Sequence, residues 1–95
     1  MEGEEEIRVR MPRKGELLGV IDSIVGGSRM RVRCQDGKLR MCRIPGRFRK
    51  SLWVRDGDAV LVQPWEIQGD TNGDIVWKYT RTQAAHLKKK NILTF

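Results

Sequence analysis

Residues 30–44 read MRVRCQDGKLRMCRI, and this stretch decides the fold. Apolar and basic residues alternate on both sides of the pair Asp36-Gly37. Such a pair between two alternating runs is a strong β-hairpin signal, because both central positions of a tight turn favour positive φ. The sequence therefore predicts two antiparallel strands joined by a two-residue loop.

A two-residue loop would place Arg33 opposite Arg40 and Cys34 opposite Leu39. Because successive side chains of a strand point to opposite faces, this register sorts the hairpin into two sides. The predicted core side holds Met30, Val32, Cys34, Leu39 and Met41. The predicted basic side holds Arg31, Arg33, Lys38 and Arg40. Arg43 falls on the nominal core side, but at the strand end, where its side chain can turn outwards.

Three further apolar runs surround the hairpin, each next to a turn rich in glycine, proline or acidic residues. They are Leu17–Val25, Ala59–Val62 and Ile75–Tyr79. Five short strands at this spacing are typical of a small barrel or sandwich. After the last run, Thr80 and Gln83 form the pattern of a capping box, which predicts a short helix. Lys88, Lys89 and Lys90 would complement the dipole at its C-terminal end.

The segment between the third and fourth runs reads PGRFRKSLW, residues 45–53. Phe48 and Leu52 are four residues apart, which favours a short helical turn. A five-stranded barrel with such a turn between strands 3 and 4 is the OB-fold arrangement. The sequence thus predicts an all-β, five-stranded OB-fold barrel with this helical turn and a C-terminal helix. It divides into a flexible N-terminal tail (1–15), the OB-fold domain (16–81), and the C-terminal helix with a short tail (82–95).

The positive charge of the chain is concentrated around the hairpin. Residues 29–55 carry ten basic residues and one acid, a net charge of +9 against +7 for all 95 residues. A basic surface of this kind attracts polyanions, so nucleic acid is the expected partner. Arg33 opposite Arg40 would be destabilising, which favours a binding role over a merely solvated strand face. Further charge comes from the helical turn, through Arg47, Arg49 and Lys50.

Several other side chains can be explained by a structural role alone. Trp53 either stacks on a base or caps the barrel beneath the helical turn, and spacing alone leaves both open. Trp65, Trp77 and Tyr79 are expected in the core or at its rim, and His86 on an exposed helix face. Cys34 and Cys42 fall on opposite faces in the predicted register, so we expect two free thiols and no disulfide.

Catalytic and membrane functions find little support in the sequence. The chain has no phosphate-binding glycine loop, no nucleophile motif and too few ligands for a metal site, so we expect neither an enzyme nor a cofactor. No apolar run approaches the roughly 20 residues of a membrane-spanning helix. The acidic start lacks the features of a secretory signal, which predicts a cytoplasmic protein.

Two longer stretches resemble a known family. Residues 31–65, RVRCQDGKLRMCRIPGRFRKSLWVRDGDAVLVQPW, resemble the translation initiation factor 1A family in its archaeal form. Residues 73–90, GDIVWKYTRTQAAHLKKK, are similar to the last strand and following helix of that family. The resemblance covers about Glu16 to Lys90, and its RIPG-basic-tryptophan-GD pattern is highly specific.

The resemblance implies an OB-fold factor that binds the decoding (A) site of the small ribosomal subunit through rRNA. It also implies support for initiator-tRNA and mRNA recruitment alongside other initiation factors, as a monomer. The residues expected to contact rRNA are Arg31, Arg33, Lys38, Arg40, Arg43, Arg47, Arg49, Lys50 and Trp53. Two rival hypotheses are an RNA chaperone of cold-shock or S1 type and a protein-docking module. The first would display several stacking aromatics, and the second an exposed apolar anchor.

Overall fold

Five strands close into one barrel in the computed structural model of the chain, which describes residues 9–46 and 53–95. They are β1 (Leu17–Gly26), β2 (Arg29–Cys34), β3 (Leu39–Arg43), β4 (Ala59–Pro64) and β5 (Asn72–Lys78), followed by helix α1 (Arg81–Lys89). Their order around the barrel is β1-β2-β3-β5-β4. Only the β3–β5 pair, among the strands described, is parallel. The predicted OB-fold barrel with a C-terminal helix is confirmed. The predicted helical turn falls largely on residues 47–52, which lie outside the described residues.

Strand β1 closes the barrel because it pairs with β2 along one edge and with β4 along the other. Gly19 lies opposite both Cys34 and Val60. Register shifts after Ile21 and after Ile24 bend the strand, as β-bulges do. A Cβ atom on Gly19 would lie 2.6 Å from Cγ1 of Val32. The strand therefore needs glycine at this position, because a side chain would clash with Val32 of β2.

The apolar side chains form two clusters, one inside the barrel and one beneath α1. Val60 and Val62 belong to the inner cluster, whereas Ala59 and Leu61 belong to the outer one with Leu87. Strand β4 is thus buried on both faces. This explains its four consecutive apolar residues, since a strand covered on both sides has no polar face.

Helix α1 has defined ends. Thr80 Oγ1 accepts a hydrogen bond from Gln83 N (3.1 Å), and Thr80 N donates to Gln83 Oε1 (3.0 Å), which confirms the predicted capping box. At the other end, Ile92 N donates to Leu87 O and Asn91 N to Lys88 O. Asn91 has a φ of 60°, and together these features make a Schellman motif. Both ends of the helix are therefore closed by hydrogen bonds.

The described part of the N-terminal segment, residues 9–15, is attached to the barrel, and we call it the N-terminal arm. The Arg10 guanidinium lies 5.4 Å from the ring centroid of Trp77 and forms an ion pair with Glu16 at 3.0 Å. The Tyr79 hydroxyl donates to the Arg10 carbonyl, and burial raises the pKa of Tyr79 to about 12. Val9 packs against the outer cluster. Tyr79 is buried, as predicted, whereas Trp77 lies at the rim.

The register of the β2–β3 hairpin differs from the prediction by one residue. Arg33 lies opposite Leu39, and Arg31 lies opposite Met41. The loop comprises residues 35–37, with Gly37 N bonded to Cys34 O at 2.9 Å and Gly37 at a φ of 84°. A turn followed by a positive-φ glycine is the usual three-residue hairpin loop. The predicted two-residue loop was therefore wrong.

This shift exchanges the two faces of β3. Arg40 and Cys42 point into the barrel, while Leu39 is 51% exposed and Met41 half-buried on the outer side. The predictions that Leu39 and Met41 form core and that Arg40 faces outwards were wrong.

The same shift moves the cysteines onto one face. Cys34 and Cys42 are buried free thiols that share the inner cluster, so their predicted opposite placement was wrong. Cys42 lies opposite Met30, four residues of strand from Cys34. Four residues span about 13 Å, which exceeds the reach of a disulfide. Burial raises the pKa of Cys42 to about 12 and also raises that of Cys34.

Candidate nucleic-acid interface

The outer side of the hairpin forms one surface, which we call the hairpin face. Three arginines from β2 lie side by side with three residues from β3 in the pairs Arg29–Arg43, Arg31–Met41 and Arg33–Leu39. All four arginines are exposed. Because outward residues alternate along a strand, the β2 arginines are spaced about 7 Å apart. The face thus presents a row of cations suited to a polyanionic chain.

Acidic residues from distant parts of the chain neutralise some of this charge. Arg33 pairs with Asp22 at 3.3 Å, Lys38 with Asp70 at 2.9 Å, and Arg43 with Asp74 at 3.0 Å. Exposed pairs of this kind contribute about 0–1 kcal/mol each, so they do not prevent these side chains from contacting a phosphate. Within residues 9–46 and 53–95, neither Arg29 nor Arg31 has an acid at ion-pair distance. The unneutralised charge is therefore greatest along β2.

Arg40, a predicted rRNA contact, is instead an internal residue. Its side chain is 3% exposed, and its two Nη atoms bond to the Asp36 carboxylate at 3.0 and 2.8 Å. Its Nε donates to the Gly69 carbonyl at 2.5 Å. The hydrogen bond from Arg40 lowers the pKa of Asp36. Arg40 thus ties the hairpin loop to the β4–β5 loop and does not belong to the hairpin face.

Trp53 is 81% exposed, so it does not cap the barrel core. Its ring borders two clefts. One, of about 430 Å³, is lined mainly by apolar side chains that include Ile24, Ile44 and Val54. The other, of about 530 Å³, is lined by the basic residues Arg55, Lys78 and Arg81 together with Asp58. Lys78 Nζ donates to the Trp53 carbonyl at 2.5 Å, which fixes the backbone beneath the ring. An exposed indole between apolar and basic surfaces is suited to stacking on a base.

Sequence reasoning missed two residues of this surface, Arg29 and Trp65. Arg29 shares the two-residue period of Arg31 and Arg33, and that signal was available. Trp65 lies at the rim of the core, as predicted, with 36% of its surface exposed, but its place beneath the Arg43 guanidinium, at 5.2 Å, was not foreseen. Nothing in the sequence places Trp65 next to Arg43, because barrel closure brings the two together.

Three predicted contacts, Arg47, Arg49 and Lys50, lie outside the described residues. In the part of the chain that the structure describes, no group of three His, Cys, Asp or Glu side chains could hold a metal ion. No helix in those same ranges is long and apolar enough to cross a membrane.

Comparisons with a family profile and with individual proteins agree on one family. The sequence profile "Translation initiation factor 1A / IF-1" matches residues 4–94. The translation initiation factor 1A of Thermococcus kodakarensis is 52% identical, in an alignment that covers 99% of this chain and 82% of that protein. The protein of the same name from Methanothermobacter thermautotrophicus is 50% identical, with 95% and 91% covered.

A solved structure supports the fold. The solution structure of a bacterial translation initiation factor of the IF-1 type, from a Wolbachia endosymbiont of Brugia malayi, superposes with a TM-score of 0.54 at 22% identity. The match covers 73% of this chain and 82% of the other. At that identity the likeness concerns the barrel alone.

Proposed function

The chain belongs to the translation initiation factor 1A / IF-1 family, and on that premise we propose that it binds the decoding (A) site of the small ribosomal subunit through rRNA. There it promotes recruitment of initiator tRNA and mRNA together with other initiation factors. It acts in the cytoplasm as a monomeric binding protein without a catalytic step.

The observation that carries this proposal is the row of exposed arginines on β2. Arg31 and Arg33 project from a rigid strand next to Arg29, and Arg31 lacks an acidic partner in the described ranges. Folded rRNA presents a dense array of phosphates, and arginine binds phosphate through two parallel hydrogen bonds. Lys38, Arg43 and Trp53 extend the proposed contact surface, and Arg47, Arg49 and Lys50 would add to it. Arg40 is not part of this contact surface, because its side chain is buried.

The test is binding of the full-length protein to isolated small subunits over a range of salt concentrations. Each phosphate contact that is lost should reduce the slope of log K against log salt by about 0.7–0.9. Arg31→Gln with Arg33→Gln should therefore weaken binding and flatten that slope by roughly twice this amount. The barrel should remain folded, because both side chains are exposed.

The matched control is Lys88→Gln with Lys89→Gln, which removes the same charge from exposed positions of α1. We expect it to weaken binding much less. Equal losses in the two variants would mean that net charge and not the hairpin face governs binding. If single-stranded RNA bound the protein as tightly as the small subunit and displaced it from the subunit, the chaperone hypothesis would be preferred.

A further inference from the structure

The open end of the β2–β3 hairpin places two like charges directly opposite each other. Arg29 and Arg43 are register partners, and like charges at opposite positions of an antiparallel pair are destabilising. The other outward pairs join an arginine to an apolar side chain, Arg31 to Met41 and Arg33 to Leu39. The unfavourable pair is thus confined to one position.

Arg43 is held in place by two neighbours. Asp74 Oδ1 accepts from Arg43 Nε at 3.0 Å and from the Trp65 indole N–H at 2.9 Å, and the guanidinium lies 5.2 Å from the Trp65 ring centroid. Among residues 9–46 and 53–95, the Nη atoms of Arg43 have no hydrogen-bond partner. One carboxylate therefore orients Arg43 but leaves its outer edge available.

Between the two arginines lies a small cavity of about 150 Å³. Its lining comprises Arg29, Met41, Cys42, Arg43, Trp65 and Asn72. A single carboxylate stands against two guanidinium groups here, so the cavity keeps a net positive charge. Bidentate guanidinium groups match the geometry of a phosphate oxygen pair.

We propose that Arg29 and Arg43 form a phosphate clamp that holds one phosphodiester of a bound RNA strand, with Asp74 and Trp65 as positioning residues. This inference rests on the proposed function for the identity of its ligand as RNA. An anion between the two guanidinium groups removes their mutual repulsion. The clamp therefore uses a pair that destabilises the free protein to favour the bound state.

The first test is a double-mutant cycle with Arg29→Gln and Arg43→Gln, using a short single-stranded RNA and an abasic phosphodiester of equal length. Each single change should lower affinity about tenfold, the scale of one charged hydrogen bond. The double variant should be little weaker than either single one, because both arginines hold the same phosphate. Arg31→Gln with Arg43→Gln is the control and should give additive losses.

The second test follows the Trp65 indole N–H by NMR. Adding either oligomer should shift this resonance at similar concentrations in the wild-type protein and in Arg31→Gln, whereas Arg29→Gln should need about tenfold more oligomer for the same shift. Trp65→Phe should weaken binding less than either clamp substitution and should reduce the coupling between them, as expected of a positioning residue. Without ligand at low salt, Arg29→Gln should raise the melting temperature and Arg31→Gln should not.

Additive losses in the Arg29–Arg43 cycle would overturn the clamp, as would failure of the abasic oligomer to shift Trp65. A failure of the proposed function would give a different result. The protein would not bind the small subunit, but the Arg29 and Arg43 substitutions would still have non-additive effects on binding of the isolated oligomers.

Discussion

Arg40 keeps its full charge at a position that is 3% exposed, so its removal from water must be offset by its partners. The Asp36 carboxylate accepts two hydrogen bonds from Arg40, and the Gly69 carbonyl accepts a third. A buried charge that loses its partner costs about 3–5 kcal/mol, whereas the intact pair adds little net stability. Arg40 therefore acts mainly to specify which loops of the barrel lie together.

Asp36→Asn should lower the free energy of unfolding by about 2 kcal/mol, less than the full cost because the Asp36 side chain is 31% exposed and asparagine keeps one acceptor. Chemical denaturation measures this loss. The control is Asp22→Asn, which breaks the exposed pair with Arg33 and should cost well under about 1 kcal/mol. Equal losses in the two variants would contradict an internal role for Arg40.

The same pair predicts a pH dependence. The pKa of Asp36 is lowered in the folded protein by its hydrogen bond from Arg40, so the unfolded chain takes up the proton first as pH falls. Its contribution is therefore complete above the unfolded pKa of about 3.9 and is lost as pH falls through the folded value. Stability measured below about pH 4 should decline less steeply in Asp36→Asn than in wild type. Parallel curves for the two proteins would refute this assignment.

At the scale of elements, β4 and α1 depend on each other. Strand β4 buries Ala59 and Leu61 against the cluster that contains Leu87 of the helix. The inner cluster takes Val60 and Val62 from β4, whereas Ala59 and Leu61 point to the opposite, outer face. Without α1 this outer apolar surface would face water. The helix has nine residues, a length at which isolated helices are marginal in water. Its stability must therefore come from docking and from its caps.

Thr80→Ala removes the side-chain half of the capping box and should destabilise the protein by about 1 kcal/mol. Amide hydrogen exchange should accelerate in α1 more than in the barrel strands. Thr82→Ala is the control, because Thr82 lies inside the first turn and alanine has the higher helix propensity. It should leave stability unchanged or slightly higher, and a loss as large as that of Thr80→Ala would show that the cap is unimportant.

At the scale of the whole molecule, the N-terminal arm joins the start of the described chain to the last strand. Arg10 bridges Glu16 and Trp77, and both partners of the ion pair are largely buried, at 19% and 10% side-chain exposure. Burial opposes ionisation of Glu16, but its hydrogen bonds from Arg10 and Arg13 outweigh that effect and lower its pKa. The arm is thus part of the folded unit.

Arg10→Ala should lower the free energy of unfolding by about 2 kcal/mol, since it removes a charged hydrogen bond and a cation–π contact. The fluorescence of Trp77 should shift to the red as its covered ring face meets water. Arg13→Ala is the control, because the hydrogen bond from Arg13 to Glu16 comes from its backbone N–H. Wild-type stability in Arg10→Ala would mean that the arm only rests on the surface.

Local pattern was sufficient for most of the architecture. Alternation and turn residues located the five strands, and Thr80 with Gln83 located the start of α1, because these signals depend on neighbours within a few residues. The consecutive apolar residues of β4 and the basic residues of β2 were also visible directly. The charge of the hairpin and the family to which the chain belongs followed from the same local information.

Tertiary structure alone decided the register of the hairpin and the composition of its outer face. A three-residue loop differs from a two-residue loop by one position, and with a side-chain period of two this moved Arg40 inside and Leu39 outside. The Asp36 carboxylate offsets the cost of burying the Arg40 charge, and the charge pattern of the sequence does not reveal this pairing. Closure of the barrel then brought Asp22, Asp70, Asp74 and Trp65 to the basic strands from distant positions. Contacts between residues far apart in sequence depend on the assembled fold, and so does the charge that remains available for RNA.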